Sequence, residues 1–150
     1  MSGGTTPMTW PWHTLLVAAG TGQLILVIAS LAIPRVLRWP EDLAKLRPLT
    51  RQVFWTYAGY IWATNLSFGL VSAFAPHWLL DRTPLAGAVC GFIATYWGAR
   101  VVIQFAYFDR SGAPQGLRFT IGEAALVVLF AGLTLVYGGL AARALGVLGG

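Results

Sequence analysis

Arg100 is the residue with the most to say about chemistry. It lies within a long apolar run, eight positions before Phe108. On a helix that places it roughly 12 Å inside the run's end at 1.5 Å per residue. A charge at such depth in a bilayer costs several kcal/mol unless it is paired or hydrated. Helical side chains lean toward their own N-terminus, so Arg100 leans away from the nearer end of its run. Three roles suit it: reaching the surface, bridging helices, or holding an anionic ligand. Tyr96, Gln104 and Tyr107 share its side of a helix, within about 80° of arc at 100° per residue. Gly87, Gly91, Ala94 and Gly98 form the other side, a smooth face that lets a second helix approach closely.

Glu123 is the natural partner for Arg100 across a short loop. It also completes the spacing of a capping box, Thr120-Ile121-Gly122-Glu123, which would occupy it locally. An earlier run adds Tyr60 and Asn65, with Tyr57 and Thr64, and the first run adds Gln23. Deep Asn and Gln side chains usually tie helices together. If these groups face one interior, they line a polar chamber open toward the cytoplasm. The candidate ligand-binding set is therefore Arg100, Gln104, Tyr96, Tyr60, Asn65 and Glu123.

Other chemistry finds little support. His13, His77 and Asp81 are too few for a structural zinc site or facing haem ligands, so neither metal nor cofactor is expected. There is no Cys-x-x-Cys pair, no H-E-x-x-H run and no phosphate loop. No carboxylate lies deep in a run, as a proton-driven pump usually requires. The lone Cys90 reads as a small apolar residue.

The elements that position these residues follow from composition. The 150 residues are 57% hydrophobic and 10% charged, against about 25% charged in soluble domains. So few charges cannot cover a water-facing surface. Four apolar segments, near 12–33, 52–75, 84–108 and 120–143, each match the roughly 20 residues a membrane helix needs. They lack the alternation of barrel strands. Pro34 and Pro76 close the first two. Thr83-Pro84 opens the third as cap and first helical position. The expected fold is an all-α, integral membrane, antiparallel four-helix bundle in a single transmembrane domain, residues 1–150. Met1 to Thr9 holds no Lys or Arg, so the first segment is expected to stay as a helix and not act as a signal peptide.

The formal charge of +5 does not call for nucleic acid, because the bases sit between the spans. Arg35, Arg38, Lys45, Arg47 and Arg51 lie in the first loop, and Arg110 and Arg118 in the third. Only Arg82 and Arg143 lie at the opposite ends. Seven against two places loops one and three in the cytoplasm and both termini outside. Trp10, Trp12 and Trp78 then fall at the outer interface, Trp39 and Trp55 at the inner. Within the first loop, Pro40-Glu41-Asp42 and Lys45-Leu46-Arg47 bracket a short surface helix with Leu43 and Leu46 on one side.

The runs Ala88-Val89-Cys90-Gly91-Phe92-Ile93-Ala94, Trp97-Gly98-Ala99-Arg100, Gln104-Phe105 and Phe108-Asp109, with Arg51-Gln52-Val53-Phe54-Trp55, resemble a family of short, uncharacterised bacterial four-span membrane proteins. The resemblance implies a bacterial inner membrane and the same four-helix layout. It brings no activity with it. Three functions are compatible with the residues. One is an accessory protein of a membrane assembly, its partners the bilayer and a homo-oligomer or membrane protein docked through Gly87, Gly91 and Gly98. The second is binding or transport of a small anionic amphiphile around Arg100. The third, with least support, is a membrane enzyme using Arg100 and Glu123, since no nucleophile or metal set accompanies them.

Overall fold

The computed structural model describes residues 10–107 and 116–147, and those residues contain helices and no strands. Four helices are long: α1 (Trp10–Ser30), α4 (Pro48–Phe74), α6 (Pro84–Ala106) and α7 (Leu117–Ala144). Three short ones join them: α2 (Ile33–Val36), α3 (Trp39–Leu43) and α5 (Pro76–Leu80). Among the described residues, α1, α6 and α7 are long and apolar enough to cross a membrane. At 27 residues, α4 has the length but carries Gln52, Thr56, Tyr57, Tyr60, Thr64, Asn65 and Ser67.

The long helices pack as two antiparallel pairs, α1 with α4 and α6 with α7. Small residues set the first pair. A Cβ on Gly20 would stand 2.6 Å from the Ala73 amide nitrogen, so only glycine permits this approach. Further along, the Trp62 indole donates to the Val27 carbonyl at 3.2 Å. The glycine face of α6 sets the second pair. Gly87 lies against Ala144, Gly91 against Ala141 and Gly98 against Thr134. The stripe is thus taken up inside the chain by α7. The two pairs meet over a core of Leu16, Ile93, Trp97, Phe130, Leu133 and Tyr137, with Trp97 stacked on Phe130 at 5.0 Å.

Several boundaries differ from expectation. α1 ends at Ser30, and Pro34 sits in the first turn of α2, where its missing N–H costs nothing. The surface helix is α3. It ends at Leu43, which is buried, while Leu46 lies beyond it and is exposed. Arg38, at φ +53°, turns the chain into it. Trp39 then anchors it edge-on to Phe54 at 5.0 Å. α4 begins at Pro48, four residues before Gln52, and Pro76 starts α5 after Ala75. The expected cap on α6 is present, Thr83 Oγ1 accepting from the Ala86 N–H at 3.2 Å. Phe108, Asp109 and Arg110 lie outside the described residues.

The largest difference concerns α7. It starts at Leu117 behind Gly116, whose φ of +148° is open to glycine. Thr120 is therefore inside the helix, its hydroxyl donating back to the Gly116 carbonyl at 3.4 Å. The capping box does not form, and Glu123 is released from it.

Candidate functional site

Two groups of polar side chains lie among the helices. The first is buried at the centre, and each long helix contributes one member: Gln23 from α1, Ser72 from α4, Trp97 from α6 and Tyr137 from α7. All four are essentially inaccessible. The Trp97 indole donates to Gln23 Oε1 at 3.2 Å. Gln23 Nε2 donates to the Tyr137 hydroxyl at 2.6 Å and more weakly to the Ala19 carbonyl at 3.4 Å. The hydroxyls of Tyr137 and Ser72 share a bond of 2.5 Å. Every member is satisfied, as a water-free interior demands. The set holds no histidine, carboxylate or lysine to activate Ser72 or Tyr137. Its chemistry is that of a clasp joining the two helix pairs.

Only Gln23 is legible in sequence, as a lone amide in an apolar run. Trp97, Tyr137 and Ser72 carry no comparable signal. A deep glutamine needs partners, and an aromatic with one polar tip is what an apolar helix can offer. That rule identifies the type of partner without naming the position.

The second group lies nearer the α6–α7 connection. The Tyr96 hydroxyl is faced by the Asn65 side chain and by Arg100. Asn65 Oδ1 is buried and accepts no hydrogen bond. The Arg100 guanidinium stands 6.0 Å from the centre of the Phe130 ring, within cation–π range. One turn on, Gln104 Nε2 donates to Glu123 Oε1 at 3.1 Å. Tyr96 thus stands between Asn65 and Arg100, and Gln104 is tied to Glu123 across α6 and α7. Tyr60 is elsewhere, 67% exposed on the outward side of α4. This group can present a guanidinium, an amide and a phenol to one small polar group.

The outward side of α4 is unusual for a helix of this company. Its inward side is the row Ala58, Trp62, Asn65, Gly69 and Ser72; the opposite row holds Thr56, Tyr60, Ala63 and Ser67, all exposed. Thr56 and Ser67 satisfy their hydroxyls on the carbonyls of Gln52 and Ala63, at 2.9 and 2.8 Å. Tyr57 and Tyr60 line an open groove of about 260 Å³ with Gln52, Val53 and Thr56. A Cβ on Gly59 would meet nothing within 4 Å.

His13 and His77 are both exposed, His77 edge-on to Trp78 at 5.7 Å. Among the described residues no three His, Cys, Asp or Glu side chains gather into a group that could hold a metal ion. No protein-family model matches the chain, and no curated protein or solved structure does either.

Proposed function

We propose that the protein spans the bacterial inner membrane with all four long helices, as an antiparallel bundle with both termini outside. We propose further that it serves as an accessory subunit, holding a neighbouring transmembrane helix against the outward side of α4. The excess of Lys and Arg on the α1–α4 and α6–α7 connections supports the orientation. The resemblance to short four-span bacterial proteins supports the membrane.

The position of Tyr60 carries the reading of function. α4 is about 40 Å long against about 30 Å of hydrocarbon. Tyr60 lies twelve residues from its start, about 18 Å along. An interfacial belt explains aromatic residues at helix ends, and Tyr60 is near the middle. Its phenol points out of the bundle and is 67% exposed, where lipid offers no hydrogen bond. Beside it, Gly59 and Ala63 leave the backbone open to close approach. A partner helix would meet both needs. Bulk at Gly59 tests this, because the chain itself places nothing there. Gly59→Leu is expected to keep or slightly raise the thermal midpoint in mild detergent while abolishing association seen with the wild type. A wild type that is strictly monomeric with no copurifying protein removes the proposal.

A second reading rests on the unpartnered Asn65 Oδ1 beside Tyr96 and Arg100. These groups suit a small anionic amphiphile that also carries a hydroxyl donor. Mass spectrometry of extracts from the wild type and from Arg100→Gln tests it. The same species in both, or none in either, rejects it.

A further inference from the structure

At the end of the molecule opposite the polar group around Arg100, the last turn of α7, the start of α1 and the end of α5 close around a small cavity. Trp12, Leu79, Asp81, Arg82, Leu140 and Arg143 are among its walls, and its volume is about 40 Å³. A single water needs about 10–15 Å³ by the same measure. The space therefore admits about three waters, or the three outward oxygens of one phosphoryl group. Its walls are not neutral. Arg82 and Arg143 both line it, with Asp81 the single acid, so a net positive charge faces the space. Arg143 is held in place, its guanidinium lying over the Trp12 ring at 4.9 Å. A cation–π contact of this kind does not consume the guanidinium's N–H donors, which can still meet an anion. Among the described residues, Asp81 is within ion-pair distance of neither arginine.

We infer that this cavity is an oxyanion site that takes a phosphoryl group, presented either by an anionic lipid headgroup or by free phosphate. The two arginines supply charge-assisted donors, the planar edge of Arg143 being suited to two oxygens at once. Leu79 and Leu140 form apolar walls that weaken competition from water. Asp81 opposes the ligand and limits its affinity. The inference is independent of the docking of a partner on α4.

The experiment follows thermal unfolding of the full chain in a neutral detergent. One arm adds sodium phosphate against sodium chloride at equal ionic strength. The other adds phosphatidylglycerol against phosphatidylcholine to the micelles. Binding to the folded state raises the midpoint by mass action. The wild type is expected to rise in at least one arm. A rise with phosphate identifies a free oxyanion site, and a rise with phosphatidylglycerol alone a headgroup site. Arg143→Gln is expected to weaken the effect about tenfold or more. Because Arg143 also packs on Trp12, Arg82→Gln serves as the variant that keeps that contact, and it should weaken the effect too. Asp81→Asn should strengthen it, and Lys45→Gln at the far end should leave it unchanged. No rise in either arm, or equal rises in the wild type and Arg82→Gln, overturns the inference.

Discussion

The fully buried Tyr137 hydroxyl is a partner to two side chains from two other helices. Tyr137→Phe keeps the ring and removes the oxygen. The Gln23 amide then loses its closest acceptor, and Ser72 its partner. An unsatisfied buried polar group costs about 1–3 kcal/mol, and helix-bridging bonds in membranes lie near the lower end of that range. Tyr137→Phe should lose about that much in detergent unfolding. Tyr60→Phe, which removes an exposed hydroxyl, should lose nothing. Equal effects would mean that the central clasp contributes no stability. The same scale shows what sequence can hide. Gln23 declares itself by polarity, while Trp97 and Tyr137 each bury one polar atom behind a ring. Arg100 also declares itself, and it faces Tyr96, which in turn meets Asn65. Glu123 was ambiguous between a local cap and a cross-helix bond. The choice fell to Gly116, which lets α7 begin three residues early.

At the scale of elements, the two sides of α4 make opposite predictions for similar residues. Gly20 of α1 faces the α4 backbone, and an added Cβ would collide with Ala73 and Ser72. Gly20→Ala should cost about 1–3 kcal/mol by forcing the pair apart. Gly59 faces open space within a helix, so Gly59→Ala should add about 0.5–1 kcal/mol through helix propensity. Thermal unfolding of the two variants side by side checks both signs. Helices α1, α6 and α7 were legible from apolar length alone, and α6 from its Thr83-Pro84 start as well. α4 was legible as a helix. Which of its sides faces inward was not, because its polar residues occur all round and only the contacts with α1 choose the row through Asn65, Gly69 and Ser72.

At the scale of the whole molecule, the charge pattern supports the proposed orientation, and labelling can test it. Cys90 is the single cysteine and is buried, so Cys90→Ala gives a silent background. In that background Lys45→Cys should react with a membrane-impermeant thiol reagent only after cells are opened. Trp78→Cys should react in intact cells. The reverse pattern would invert the proposed topology.

On the proposed function, the outward side of α4 meets protein and the other outward sides meet lipid. A photo-crosslinking phenylalanine analogue in place of Tyr60, compared with the same analogue in place of the exposed Leu135 of α7, tests it in native membranes. Position 60 should give a discrete protein adduct, and twice the mass of the chain would identify a second copy. Position 135 should give lipid adducts. Lipid adducts alone at both positions would contradict the account and leave Tyr60 a membrane-facing phenol without a partner.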